Sequence, residues 1–265
     1  MLSSIFLFLI GVIASSCASF KSDKTFKIIE NLPYTESELE ERLQGDLYLS
    51  STKKSPIVFV VHGGGWSSRT KSDMKTLSES LASHGFNVFN INYRLSPEHK
   101  HPAAILDLQT AVNFIKNNYP DIDSTRIGIW GYSSGAHTSL MYGMKYNRDV
   151  KAIVSGGAPY DLTWYKFSPY IKDYMGEHRK GFIKEYNEAS PVQYISKGGP
   201  SFFLYHGKSD TLLEHSQMTN FEARLLTAGA DVESLTVPWW GHATLLIFSK
   251  EPIVKGIKFL KRKLK

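Results

Sequence analysis

The sequence predicts an α/β fold in which a mostly parallel central sheet carries helices on both faces. Continuous apolar runs, such as Pro56–Val61 and residues 150–155 and 201–205, are typical of strands that are covered on both faces. Between these runs lie stretches in which apolar residues recur at helical spacing. Strands and helices that alternate at this rhythm indicate a parallel sheet, because a parallel crossover needs a helix-length connection.

The predicted elements follow one another along the whole chain. The predicted strands span residues 26–29, 45–49, 56–61, 86–93, 127–130, 150–155, 201–205 and 232–237. The predicted helices span residues 74–84, a segment that begins at Pro102, residues 136–144 and 218–227, and a segment within residues 244–264. Gly85 and Gly229 follow two of these helices, where glycine readily takes the conformation that ends a helix. Pro102 suits the first helical position, where no backbone N–H is needed.

Composition and length predict one globular domain. The chain has 265 residues, of which 42% are hydrophobic and 21% charged, which is ordinary for a protein with a full core. We place the domain at residues 25–265, with a cap insertion at about residues 161–199 that is crowded with aromatic side chains. These aromatics are as well suited to line a pocket as to form the core of the insertion. The net charge of +6 comes without a basic stripe or a nucleic-acid-binding module, so we expect no nucleic-acid partner.

Residues 1–17 have the features of an export signal. The apolar run at residues 2–13 is shorter than the roughly 20 residues that span a bilayer, and it fits the hydrophobic region of a signal peptide. Cys17, the single cysteine of the chain, follows Ala14-Ser15-Ser16 and resembles a bacterial lipobox, although leucine is usual where Ala14 stands. We therefore expect an exported protein that is anchored to a bacterial membrane through a lipidated Cys17. The alternative is a plain secretory signal and a periplasmic or secreted protein.

A short motif at residues 131–135 suggests a nucleophile. Gly131-Tyr132-Ser133-Ser134-Gly135 matches G-x-S-x-G and lies between a predicted strand and a predicted helix. In this context the serine is held at a strained turn over the N-terminus of the helix, where free N–H groups favour a developing negative charge. Five residues with two free positions also recur by chance, so the motif needs support from the rest of the chain.

Three further segments that carry reactive groups follow predicted strands. The run His62-Gly63-Gly64-Gly65 follows residues 56–61, Asp210 follows residues 201–205, and His242 follows residues 232–237. Ligands of an open α/β sheet bind at the carboxyl ends of its strands, so these segments are expected to meet. A nucleophilic serine needs a base, an acid that orients the base, and donors for the oxyanion.

The order of these residues and several other segments resemble the α/β-hydrolase family. Ser133, Asp210 and His242 occur in the order usual for that fold. From about residue 48 onward the chain is most similar to hormone-sensitive-lipase-like and feruloyl-esterase-like carboxylesterases. The glycine run, residues 92–98 and residues 189–191 add independent matches.

The resemblance implies a role for each of these residues. Ser133 would be the nucleophile, His242 the general base, and Asp210 the carboxylate that fixes the histidine tautomer. The backbone N–H groups of Gly64, Gly65 and Ser134 would form the oxyanion hole. Glu214 is the rival acid, because it lies only one helical turn beyond Asp210. Asp210 is preferred since it lies nearest to the end of the strand.

The predicted function is hydrolysis of carboxylic esters with short acyl groups, through an acyl-enzyme and without a cofactor. The histidines show no metal-ligand spacing such as H-E-x-x-H, so we expect no metal site. The short insertion at residues 161–199 is expected to roof a small pocket. Two alternatives remain: an arylformamidase of the kynurenine-formamidase type on the same fold, and a binding protein with a catalytically silent site. The expected partner is a small-molecule ester, and the sequence does not fix the oligomeric state.

Overall fold

The computed structural model describes residues 25–36, 42–147 and 149–265. Residues 1–17, including Cys17, lie outside the described residues. Within the described ranges eight strands form one sheet in the order β1-β2-β4-β3-β5-β6-β7-β8. The strands are β1 (Phe26–Pro33), β2 (Gln44–Ser50), β3 (Pro56–Val61), β4 (Asn87–Ile91), β5 (Asp123–Tyr132), β6 (Val150–Gly156), β7 (Ser201–Gly207) and β8 (Val232–Val237).

The sheet is mostly parallel, as the alternation of elements predicts. Strand β2 pairs antiparallel with both β1 and β4, and all other neighbours pair parallel. The registers bring the carboxyl ends of the strands level: Tyr132 of β5 lies beside Gly156 of β6, and Gly207 of β7 lies beside Val237 of β8. Loops that leave these strands therefore start at one edge of the sheet.

Helices cover both faces of the sheet. They are α1 (Lys75–Ser83), α2 (Ala103–Asn118), α3 (Ser134–Met141), α4 (Pro169–Met175), α5 (Ile183–Glu188), α6 (His215–Thr227), α7 (His242–Phe248) and α8 (Glu251–Lys263). Strand β3 sends alternate side chains into two hydrophobic clusters, with Phe59 in one and Val58 in the other. The first cluster includes Leu108 of α2, and the second includes Leu260 of α8. No helix in the described ranges is long and apolar enough to cross a membrane.

The segment at residues 244–264 contains the last helix, α8, as predicted, and also most of the preceding helix, α7. Helix α7 ends at Phe248 and α8 begins at Glu251, with Pro252 in the first turn of α8. Proline has no N–H to donate, and its ring clashes with the carbonyl four residues earlier, so one continuous helix is disfavoured here. The insertion at residues 161–199 contains α4 and α5.

The turn between β5 and α3 is strained. Ser133 has φ +55° and ψ −124°, a conformation that residues with a side chain rarely adopt. Its N–H donates to the carbonyl of Gly156 at 2.7 Å, which ties the turn to the end of β6. A Cβ on Gly135 would lie 2.3 Å from the carbonyl oxygens of Val61 and His62. The turn therefore packs directly on the end of β3, and only glycine fits at position 135.

This strain predicts an unusual order of stability among substitutions at Ser133. Ser133→Gly relieves the strain, whereas Ser133→Ala keeps it, and both remove the hydroxyl. We expect the glycine variant to have the higher free energy of unfolding, by about 1 kcal/mol, despite the greater entropy of glycine in the unfolded chain. Urea denaturation of the two variants measures the difference. An alanine variant at least as stable as the glycine variant would contradict the proposed strain.

Candidate active site

The structure brings together the three side chains that the sequence singles out. His242 Nε2 lies 2.9 Å from Ser133 Oγ, and His242 Nδ1 lies 2.7 Å from Asp210 Oδ2. Ser133 follows β5, Asp210 follows β7, and His242 is the first residue of the helix after β8. A base within hydrogen-bond reach of a hydroxyl, and oriented by a carboxylate, is the arrangement that activates a serine.

The Asp210 carboxylate is held by donors on both oxygens. Oδ1 accepts the backbone N–H groups of Leu212 and Leu213, each at 2.9 Å. Oδ2 is 2.7 Å from His242 Nδ1 and 3.1 Å from His206 Nε2. Burial disfavours the charged form, but these donors together outweigh it and hold the pKa of Asp210 well below its usual range. Asp210 is therefore ionised at neutral pH.

The rival acid does not take part in this arrangement. Glu214 is exposed, and its carboxylate accepts a hydrogen bond from Ser216 Oγ at 3.1 Å. It lies immediately before α6, beyond the loop that carries Asp210. The preference for the residue nearest to the strand end therefore agrees with the geometry.

Two further side chains contact the site without a signal in the sequence pattern. The Tyr132 hydroxyl donates to the backbone carbonyl of His242, and the two rings lie 5.3 Å apart. His206, on β7, contacts Asp210 as described above. Both residues lie close in sequence to predicted site residues. Closeness in sequence, however, does not show in which direction a side chain points.

The glycine run forms a loop that passes beside Ser133. Gly64 has φ +113°, and a Cβ there would lie 2.3 Å from the carbonyl oxygen of Ser68, so the turn requires glycine. A Cβ on the preceding residue, Gly63, would lie 3.1 Å from Ser133 Cβ, which shows how closely the loop approaches the turn. Ser134 opens α3, and the first N–H groups of a helix have no partner within the helix.

The insertion holds this loop in place. The ring of Trp66, directly after the glycine run, stacks on Tyr174 of α4 with centroids 4.2 Å apart. Tyr174 is fully buried and its hydroxyl lies 2.9 Å from His101 Nδ1. Tyr174 thus fixes α4 of the insertion to residues outside it, whereas Tyr165, Phe167 and Tyr170 line the cleft. Three of the aromatic residues therefore line the cleft, and Tyr174 packs the insertion onto the rest of the domain.

A cleft of about 870 Å³ opens over Ser133 and His242. It continues beyond the insertion into the space between α1 and the last two helices. Met74, Leu77, Leu245 and Ile253 line that part. The cleft is consequently larger than a pocket roofed by the insertion alone.

Two buried histidines near the site are uncharged. His62 stacks on Tyr93 at 4.3 Å and donates from Nδ1 to the carbonyl of Gly63 at 2.7 Å, and burial lowers its pKa to about 4. His137 is fully buried and its Nε2 lies 2.7 Å from the carbonyl oxygen of Ala189. Burial lowers the pKa of His137 to about 3. Among the residues that the structure describes, no cluster of three or more His, Cys, Asp or Glu side chains is placed to hold a metal ion.

Several known proteins are similar to this chain. Esterase LipC of Mycobacterium tuberculosis is 28% identical over an alignment of 218 residues, and the match covers 72% of this chain and 53% of LipC. Kynurenine formamidase of Meyerozyma guilliermondii is 38% identical over 85 residues, 31% of each chain. The solved structure of a bifunctional GH43-CE protein from Bacteroides eggerthii has a TM-score of 0.82 and 26% identity, and the match covers 90% of this chain and 38% of that one.

These matches agree on the fold and differ in extent. The chain spans about half the length of LipC and of other curated esterases that it matches. Esterases of known structure superimpose over about nine tenths of the chain, which confirms the predicted α/β-hydrolase fold. The family model described as BD-FAE matches residues 46–225, from β2 into α6. The chain therefore belongs to the BD-FAE family of α/β-hydrolases.

Proposed function

We propose that the protein is a serine carboxylesterase that hydrolyses esters of short carboxylic acids through an acyl-enzyme. The observation that carries the proposal is the continuous hydrogen-bonded chain from Ser133 through His242 to Asp210, of which Ser133 and His242 line the cleft. The similarity to curated esterases supports the reaction class.

In the proposed reaction, His242 accepts and returns every proton. Ser133 Oγ attacks the carbonyl carbon of the ester while His242 Nε2 takes the hydroxyl proton, and the ionised Asp210 stabilises the imidazolium. The tetrahedral intermediate collapses, and His242 returns the proton to the departing alcohol. A water molecule then attacks the acyl-enzyme and gives a proton to His242. Release of the carboxylic acid returns that proton to Ser133.

We assign the oxyanion hole to the backbone N–H groups of Ser134, Gly64 and Gly65. Support comes from the position of Ser134 at the start of α3 and from the close approach of the glycine loop to Ser133. Fixed donors aimed at a developing oxyanion lower the barrier by about 3–4 kcal/mol each. Their position also depends on Trp66, whose stacking on Tyr174 fixes the end of the loop.

The acyl preference follows from the insertion. Its chain is largely used in forming α4 and α5 and in packing Tyr174 against Trp66, so little is left to build a long acyl groove. The proposal places the short acyl group beside the insertion, and it leaves the part of the cleft between α1 and α8, which Leu77 and Ile253 line, for the alcohol part of the ester.

Hydrolysis of an aryl formamide is the second candidate function. The observation that favours it is the similarity to a kynurenine formamidase, which is higher in identity but shorter than that to the esterases. The same triad would serve both reactions, since each is an acyl transfer to Ser133. A silent binding protein is disfavoured, because the three side chains are hydrogen-bonded as a working triad needs.

Substitutions in the triad test the reaction class. Ser133→Ala and His242→Ala should each lower kcat for p-nitrophenyl acetate by roughly 10³-fold or more, because they remove the nucleophile and its base. Asp210→Asn should also cause a large loss, since it removes the charge that stabilises the imidazolium. Glu214→Gln is the matched control, because Glu214 is exposed and points elsewhere. A greater loss in Glu214→Gln than in Asp210→Asn would show that the acid is assigned wrongly.

Chain length tests the proposed pocket and separates the two candidate substrates. Each methylene that is buried adds about 0.8 kcal/mol of binding, so a long groove would give values of kcat/KM that rise with acyl length. A pocket for short acyl groups should instead give a maximum between acetyl and butyryl and a sharp fall beyond it. The measurement is kcat/KM for p-nitrophenyl esters from acetate to dodecanoate, with an aryl formamide alongside. A maximum at octanoate or longer would contradict the short pocket, and faster hydrolysis of the formamide would favour the second candidate.

A further inference from the structure

His206 is a buried histidine to which the proposed reaction assigns no task. It lies on β7, four residues before Asp210, and neither side chain is exposed to any measurable extent (0% for each). Its Nε2 lies 2.8 Å from the carbonyl oxygen of Leu213 and 3.1 Å from Asp210 Oδ2. Both neighbours are acceptors, so Nε2 carries the proton and donates to them.

The contacts of His206 close a ring around the Asp210 carboxylate. Leu213 donates its N–H to Oδ1 of Asp210, and its carbonyl oxygen accepts from His206. His206 in turn approaches Oδ2, the same oxygen that receives the proton-bearing Nδ1 of His242. The Nδ1 atom of His206 has no hydrogen-bond partner in the described part of the chain, which fits a proton on Nε2.

This ring restricts the rotation of the carboxylate. A rotation about the Cβ–Cγ bond of Asp210 would break both sets of hydrogen bonds at once. Oδ2 would move away from His206, and Oδ1 would move away from the two backbone N–H groups. Oδ2 therefore stays within hydrogen-bond distance of His242 Nδ1. Because Nδ1 then keeps its proton, His242 Nε2 is free to accept a proton from Ser133.

We propose that His206 is a positioning residue for catalysis, which acts through Asp210 by holding Oδ2 in line with His242. The inference rests on the proposed esterase function. It goes beyond that function by assigning part of the catalytic rate to a histidine that touches neither the substrate nor Ser133.

Removal of the His206 N–H should lower kcat strongly and should change the affinity for substrate little. His206→Phe keeps a buried ring but has no N–H, and we expect kcat for p-nitrophenyl acetate to fall roughly 10- to 100-fold with KM changed by no more than about twofold. His206→Gln carries an N–H near the original position and should recover most of the loss. His215→Phe is the matched control: its ring lies 5.8 Å from that of His206, and its Nε2 contacts Thr236 Oγ1. It should have nearly wild-type activity.

A double-mutant cycle separates positioning from a purely structural role. If His206 acts through the carboxylate, His206→Phe should have little further effect on kcat in an Asp210→Asn background. Equal losses in both backgrounds, or a kcat within about twofold of wild type for His206→Phe alone, would overturn the inference. If His206→Phe does not fold, His206→Met replaces it in the same cycle, with the same criteria. Ser133→Ala in the same assay tests the proposed function itself, because activity that survives in that variant would refute the esterase mechanism rather than the role of His206.

Discussion

The candidate site depends on keeping one buried carboxylate ionised. Asp210 is removed from water, which strongly disfavours its charge, and the fold compensates with two backbone N–H groups and two histidine donors. With that charge in place, His242 has a fixed tautomer and a stabilised imidazolium, and Ser133 has a base. An uncompensated carboxylate would take up a proton, and the hydrogen-bonded chain to Ser133 would lose its orientation.

The fold supplies these donors because the strands end level with one another. The parallel registers of β5 to β8 place the loops that carry Ser133, Asp210 and His242 at one edge of the sheet. The antiparallel strands β1 and β2 lie at the far side of the sheet and contribute no residue of the triad. The insertion acts on the same edge through Trp66 and Tyr174, so it both borders the cleft and fixes the glycine loop.

Much of this arrangement could be predicted from the sequence, because the signals are local. Apolar runs identify the strands, and the position of a reactive residue just after such a run places it at the edge where ligands bind. The order of Ser133, Asp210 and His242 then indicates the triad.

The other features depend on contacts between distant segments. A single amino-acid sequence does not indicate that β4 lies between β2 and β3 in the sheet. The direction of the His206 side chain depends on how residues 210–213 fold back onto β7. The volume of the cleft depends on the space that the fold leaves between α1 and the last two helices.

The most direct test of the central claim is the covalent labelling of the full chain with a fluorophosphonate, followed by mass spectrometry of its peptides. The probe reacts with a serine whose hydroxyl is activated by a base, and it needs no knowledge of the natural ester. The account predicts one label per chain, on the peptide that contains Ser133, and no label on the Ser133→Ala variant. An unlabelled wild-type protein, or a label carried by another residue and retained in Ser133→Ala, would contradict the account.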